Sequence, residues 1–317
     1  MKNAADFLDE PVPQGYLVGI HAFAKINLGF RILSRRDDGF HEIDTVFQTI
    51  DLADSLFARP RKRGFKLRVE RRGPARRAGL KVESGPKNLV LRAARLLAEE
   101  LGEERGAEIL LIKRIPAGSG LGGGSSDVAA TLRLLPRLWN RDLGVRIRSR
   151  LSSVLGSDCA FFVRGGRARA RGRGEKLRWL RISRSDRLIL AMPHVGVSTS
   201  QAYRHWDDLK SLTVSSSGRS LHSPPRALSG RGGSSARSLM PNELEEVVSR
   251  HYPEVGRAKE LLELPGVRAT GMSGSGSAVF GILSPYAKSN TLVPKQLQSS
   301  LEMVLARYTR VGSRWIR

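Results

Sequence analysis

The stretch from Glu108 to Trp139 constrains this chain more than any other. It runs from a short apolar strand, Glu108–Ile115, through Pro116 into a loop with five glycines among the seven residues Gly118–Gly124, and out into an amphipathic helix. Because strand and helix pin both its ends, the loop is not filler between domains. Glycines let backbone N–H groups approach an anion with no side chain in the way. The following helix adds the positive end of its dipole, and Ser125 and Ser126 add hydroxyl donors. Pro116, Ala117, Gly118, Ser119, Gly120, Leu121, Gly122, Gly123, Gly124, Ser125 and Ser126 therefore read as a phosphate cradle.

Two better-known phosphate loops fit less well. A Walker A loop requires Lys after its last glycine, and Ser125 stands there. Gly118, Gly120 and Gly123 satisfy G-x-G-x-x-G, and Asp142 lies near the spacing of a ribose-binding acid, so a dinucleotide site stays open at this point. Against it, Pro116 interrupts the approach from the strand. Asp142 also sits in an Arg-Asp-Leu-Gly turn directly after a helix, not at the end of a second strand.

Elsewhere, apolar patterning predicts strands over Tyr16–Leu33, Val46–Phe57, Phe65–Val69, Leu188–Val197 and Ala278–Leu283. Helical spacing covers Asn88–Glu100, Asp127–Trp139, Ile147–Leu155, Asn242–Leu264 and Leu297–Tyr308, with Pro136 expected to kink or shorten the second of these. Arg71–Gly79 reads as a basic loop and Gly271–Gly276 as a second Gly/Ser loop. Leu212–Ser238, rich in Ser, Arg, Gly and Pro, reads as a flexible insertion. Strands and helices mix without strict alternation, which favours an α+β class.

Lysines and arginines number 54 against 30 acidic residues, a formal net charge of +24. That excess favours polyanions. The arginines are scattered, however, and aromatics make up only 6% of the chain, too few for a base-stacking platform. A basic solvated surface that binds nucleic acid only non-specifically, at low salt, is the expectation. No apolar run reaches the roughly 18 residues of a membrane span. Met1–Gln14 is acidic and does not read as a secretory leader. The single cysteine, Cys159, fits a cytoplasmic protein, and no zinc-type spacing occurs among the six histidines.

With the loop in hand, further segments fall into an order that resembles the GHMP-superfamily kinases. They are Ala24-Lys-Ile-Asn-Leu28, Asp38-Gly-Phe-His-Glu42, Lys113-Arg-Ile-Pro116, Leu155-Gly-Ser-Asp158, Gly172-Arg-Gly-Glu175, Val197-Ser-Thr199 with Tyr203, Pro241-Asn242 and Gly271-Met-Ser-Gly-Ser-Gly276. The set covers most of Ala22–Leu283 and is most similar to the branch of that superfamily whose acceptor is a cytidine diphosphate-linked methylerythritol. The resemblance implies a two-lobed fold, with an N-terminal α+β lobe over residues 1–180 and a C-terminal ferredoxin-like lobe over 181–317. It implies ATP as phosphoryl donor, Mg2+ beside it with Ser126 as a candidate ligand, and Lys25 and Asp158 as the catalytic pair. By the same carry-over Phe40, His41 and Tyr203 contact the cytosine, Asn27 and Thr199 the rest of the acceptor, and Gly274, Ser275 and Gly276 support the phosphate loop. The residue chemistry agrees. Asp158 precedes the apolar Cys159–Val163, where a carboxylate is partly desolvated and able to act as a base, and Lys25 lies among apolar strand neighbours. Taken singly, Asp158 also reads as a helix cap and Lys25 as a snorkelling lysine. The chain departs from the family at Phe40, where tyrosine is usual, at Pro136, and in the Arg/Ser-rich insertion. Cys159 has no histidine near it in sequence and reads as a buried neighbour of Asp158.

Overall fold

A computed structural model describes residues 2–78, 82–182, 186–216, 241–287 and 301–316. They form two sheets with helices packed on them, an α+β architecture. The five-stranded sheet has the order β1 (Lys2–Asn3), β11 (Leu301–Arg307), β8 (Arg187–Pro193), β10 (Val279–Leu283), β9 (Val267–Met272). Within it, β8 to β11 are arranged 4-1-3-2 in chain order, the ferredoxin-like arrangement. The seven-stranded sheet runs β12 (Ser313–Trp315), β2 (Val18–Arg35), β3 (His41–Arg61), β5 (Gly106–Lys113), β4 (Phe65–Arg71), with β6 (Arg167–Gly172) on β3 and β7 (Lys176–Leu180) on β6. The chain changes sheets between β7 and β8, and each terminus sends a strand into the opposite sheet.

The helices are α1 (Gly73–Arg77), α2 (Leu89–Leu101), α3 (Gly123–Leu138), α4 (Val145–Leu155), α5 (Cys159–Arg164), α6 (Thr199–Ser216), α7 (Glu245–His251) and α8 (Pro253–Glu260). One core lies between the seven-stranded sheet and α2, α3 and α4. Another lies between the five-stranded sheet and α6, α7 and α8. A third, with Ala24, Ile26, Ile50, Leu188, Phe280 and Val304, joins the two sheets. β2 and β3 are therefore buried along most of their length, and β3 buries polar residues such as Asp44, Gln48, Thr49 and Asp54 with its apolar ones.

Local signals account for several boundaries. Asn88 caps α2 by accepting the Val90 N–H at 2.8 Å, and Gly102, at φ 57°, ends it. Pro136 falls in the last turn of α3, which stops at Leu138. Other expectations need correction. Arg71–Gly79 is not all loop, since Pro74 starts the short α1. Asn242–Leu264 holds two helices, separated where Pro253 cannot continue α7. The strand expected to reach Val197 ends at Pro193. Leu301–Arg307, expected as a terminal helix, is strand β11, because β8 pairs with it along its whole length from Leu301↔Pro193 to Arg307↔Arg187. Residues 297–300 of that expected helix lie outside the described residues. Of the expected insertion, 212–216 continue α6, and 217–238 lie outside the described residues.

Candidate active site

Two bulges in the β2–β3 hairpin aim the first side chains. Register shifts fall between Phe23 and Lys25 and between Asn27 and Phe30. At the first, the Lys25 N–H donates instead to Leu121 O at 3.0 Å; at the second, the Phe30 N–H donates to Pro241 O at 3.1 Å. Lys25 and Asn27, two residues apart, point to the same side. Both side chains are buried, and Lys25 Nζ donates to Asn27 Oδ1 at 2.6 Å. The ammonium lies 3.5 Å from Asp158 Oδ2 and 5.0 Å from the centre of the Phe47 ring. Asp158 occupies the N-cap position of α5, yet its carboxylate makes no capping bond. It faces Lys25 and the cleft instead. Burial lowers the Lys25 pKa, and the charge of Asp158 opposes that shift. The Gly172–Glu175 turn closes on the same carboxylate, since a methyl at Gly174 would come within 3.2 Å of Asp158 Oδ1.

Beside this pair, the two Gly/Ser loops dock backbone to backbone. The N–H groups of Ser277 and Ala278 donate to Gly118 O and Ser119 O at 3.2 and 3.0 Å, and Ser273 Oγ donates to Gly120 O at 2.9 Å. Gly120, at φ 73°, has to be glycine, because a Cβ there would stand 1.9 Å from Ser273 O. Gly122, at φ 71°, precedes α3, and a Cβ on it would meet Phe162 at 2.8 Å and Lys25 Cγ at 3.1 Å. Asn242 Nδ2 holds the second loop through Met272 O and Gly274 O, at 2.9 and 2.8 Å. In the sequence Asn242 stands out only through the Pro241-Asn242 pair.

A cleft of about 950 Å³ is continuous over this region. Pro116 through Ser125 line it, as do Lys25, Asn27, Asp158, Phe40, His41, Thr199, Tyr203, Gly274 and Ser275. Ser126 and Gly276 do not. Ser126 Oγ is buried and donates to Phe23 O at 2.7 Å, while Gly276 packs toward Met272. Leu121 is a core side chain, and Ser119 Oγ closes its own turn on Pro116 O at 2.7 Å.

At the far end, His41 and Tyr203 meet each other. Their rings stack with centres 4.7 Å apart at 13°, too close to admit a base between them. His41 Nε2 lies 2.8 Å from Asp207 Oδ1, and Trp206 stands edge-on to the same imidazole at 5.8 Å. Phe40 is 52% exposed at the rim, with the Arg173 guanidinium 4.8 Å over its ring. Thr199 Oγ1 bonds Ser275 Oγ at 2.9 Å, tying α6 to the second loop. Asp207 went unnoticed in the sequence, although its i,i+4 relation to Tyr203 puts both on one helical face.

A buried ionic group under the phosphate loop also went unnoticed. Lys113 Nζ is paired with Asp54 and, at 2.8 Å, with Asp127 Oδ2. Asp54 Oδ1 also accepts the Ile115 N–H at 2.9 Å. Burial, with Asp54 close by, pushes the Asp127 carboxyl well up, against the pull of Lys113. Burial works against the Lys113 ammonium too, but its carboxylate neighbours outweigh it and raise its pKa. Both effects cannot act at full strength, since a protonated Asp127 exerts no charge on Lys113. Asp54, better supplied with donors, is the firmer partner. Cys159 is buried, and burial pushes its thiol up to about 11, which agrees with a packing role. Among the described residues no group of three or more His, Cys, Asp or Glu is gathered to hold a metal, and no helix is long and apolar enough to cross a membrane.

Comparison with known proteins bears on this site. The chain matches the GHMP kinases N terminal domain over residues 88–166 and the GHMP kinases C terminal domain over 227–293. It is 39% identical over 292 residues to the 4-diphosphocytidyl-2-C-methyl-D-erythritol kinase of Moorella thermoacetica, covering 90% of this chain and 97% of that protein. The Bacillus pumilus protein of that name is 37% identical over 84% of this chain and 88% of its own length. Among solved structures, a 4-(cytidine 5'-diphospho)-2C-methyl-D-erythritol kinase superposes with a TM-score of 0.69 at 31% identity, covering 92% of this chain and 98% of that one. Homoserine kinase from Cytophaga hutchinsonii, at 18% identity and a TM-score of 0.64 over 94% of this chain and 97% of its own, shares the fold.

Proposed function

The chain belongs to the 4-diphosphocytidyl-2-C-methyl-D-erythritol kinases of the GHMP superfamily, and from that membership we propose that Lys25 and Asp158 carry its chemistry. The reaction is ATP-dependent phosphorylation of the 2-hydroxyl of 4-diphosphocytidyl-2-C-methyl-D-erythritol, a step of non-mevalonate isoprenoid precursor synthesis. The observation that carries the catalytic reading is the 3.5 Å approach of Lys25 Nζ to Asp158 Oδ2 in the same cleft as the phosphate loop. Phosphoryl transfer asks mainly for positioning and charge compensation. Asp158 takes the proton of the acceptor hydroxyl as the oxygen attacks the γ-phosphorus and the bond to the β–γ bridging oxygen breaks, releasing ADP. Lys25, whose pKa burial lowers, pairs with that carboxylate and faces the charge that develops on the transferring group. The N–H groups at the start of α3 hold the ATP phosphates.

Magnesium would neutralise phosphate charge when bound with ATP, and Ser125, which lines the cleft at the helix start with its side chain bonded to Cys159, is the loop residue whose hydroxyl would meet it. A single protein oxygen plus phosphates suits a hard cation that keeps most of its water. The Ser126 hydroxyl is already engaged with Phe23. For the acceptor, the His41–Tyr203 stack presents one outer face to the cytosine, with Phe40 and Arg173 closing the rim. His41 is held through Nε2 by Asp207. Asn27 and Thr199 sit between this end and the phosphate loop. Residues 1–180 and 181–317 serve as the bulk of the two lobes, with β1 and β12 each exchanged into the other's sheet. The basic surface binds nucleic acid non-specifically, and the enzyme works in the cytoplasm. The direct experiment is ADP release measured across GHMP acceptors. Turnover with the cytidine diphosphate-linked methylerythritol and none with homoserine or mevalonate is expected; the reverse preference overturns the acceptor assignment.

A further inference from the structure

We propose that the chain has a second anion site, remote from the catalytic cleft, that takes a compact polyphosphate. A concavity of about 590 Å³ is lined by Arg164, Arg167, Arg181 and Arg310 together with Gly165, Gly166, Trp179, Leu180 and Ile182, and among the described residues no carboxylate lines it. Elsewhere on this basic protein, arginines along the same strand are matched. Arg169 and Arg171 of β6 both pair with Asp44 across the β3–β6 ladder. One ladder position is different: Arg167 faces Gln48 rather than an acid, and its Nε donates to the Gln48 carboxamide oxygen at 2.8 Å. The guanidinium is half-buried and lies 5.2 Å over the Tyr308 ring. Among the described residues, none of the four arginines forms an ion pair with a carboxylate. The acid nearest in influence, Asp186, is paired to Arg268 at 2.8 Å. Burial lowers the Arg167 pKa, and Asp186 offsets this only in part.

A desolvated cation without a counter-charge is unfavourable, and an anion in the concavity would compensate it. The ligand is small and not a nucleic acid strand, on geometric grounds. Trp179 already stacks with Phe161 at 5.7 Å and carries the Arg164 guanidinium 4.7 Å over its ring, so it is engaged by this chain's own side chains. What remains is a concave cluster of guanidinium donors, which suits several phosphate oxygens close together. Arg164 ends α5, the helix that Asp158 begins, so an occupant would sit one short helix from the catalytic carboxylate.

The test is titration calorimetry of inorganic pyrophosphate into full-length protein whose catalytic cleft is saturated with a non-hydrolysable ATP analogue. One pyrophosphate per chain is expected. The pair R167Q/R310Q should weaken it at least tenfold while kcat stays at the wild-type value. The charge-matched control R63Q/R146Q, altered at exposed arginines outside the concavity, should bind as wild type does. Absence of binding with the cleft saturated, equal weakening in the control, or tighter binding of a twelve-nucleotide single strand than of pyrophosphate would each overturn the proposal.

Discussion

Replacing Asp158 by Asn tests the catalytic pair without changing its shape. The wild-type carboxylate lies 3.5 Å from Lys25 Nζ, with side-chain exposures of 28% for Asp158 and 5% for Lys25. At an effective dielectric near 20, that separation corresponds to an attraction of about 4–5 kcal/mol, reduced by solvent on the Asp158 side. Loss of a positioned general base alone costs about 10²–10⁴-fold in rate, or roughly 3–5 kcal/mol of barrier. We therefore expect kcat in a coupled ADP-release assay to fall by about that factor. Affinity for a non-hydrolysable ATP analogue should hold, because loop backbone and not Asp158 grips the phosphates. A second readout follows from Lys25. Burial lowers its pKa and Asp158 resists, so removing the carboxylate lets the pKa fall further. Residual activity should then lose its alkaline limb at a lower pH than wild type. A loss of kcat under about tenfold, or an unmoved alkaline limb, would refute the pairing.

Gly120→Ala should lose nucleotide affinity and stability together. A Cβ 1.9 Å from Ser273 O forces the two loops apart at a φ of 73°, and wild-type affinity in that variant would show that the loops are not one unit. Tyr203→Leu should raise KM for the cytidine-bearing acceptor by about 10–100-fold, the equivalent of roughly 1–3 kcal/mol for an aromatic contact to a base, and leave KM for ATP in place; equal shifts in both constants would count against the base pocket. His21→Gln should flatten the acid side of the stability profile. Burial lowers the His21 pKa from 6.5 to about 4, so its neutral form supports the fold above pH 6.5 and that support is lost as pH falls through about 4. The full loss is on the order of 3 kcal/mol, read as the drop in urea midpoint between pH 7 and pH 4. Asp51, raised by burial to about 6, has the opposite sign, with its support complete below 3.8 and lost as pH rises through 6, so variant and wild type must be compared over the same range. An unchanged acid slope in the variant would exclude His21 as its source.

What could be read in the sequence was whatever the chemistry demands locally. The phosphate loop announces itself because a backbone that must approach another backbone tolerates only glycine, and Gly120 against Ser273 O shows that requirement met. Asn88 and Gly102 mark α2 for the same reason, each satisfying a need at its own position. Leu301–Arg307 misled because its apolar residues suit either period, and only the open edge of β8 decides for a strand. The His41–Tyr203 stack is a matter of distance between β3 and α6, which no local pattern records.

The Asp54–Lys113–Asp127 group marks where such reading stops. Asp54 and Lys113 lie in apolar strands and Asp127 opens an amphipathic helix, but no local pattern says that the three meet. Together they lie buried at the wall of the cleft under the start of α3, and among the described residues Asp127 Oδ1 has no hydrogen-bond partner. Two carboxylates hold one ammonium there, and because burial pushes Asp127 up, Asp54 is the charge that chiefly offsets Lys113 beneath the phosphate loop. That arrangement leaves Lys25 as the buried ammonium facing the reacting groups, with its charge tied to Asp158 across the cleft. The division between the two lysines follows from which carboxylates the fold places beside each. Lys113 has two buried partners and is held there, while Lys25 has one partner that solvent and substrate can reach.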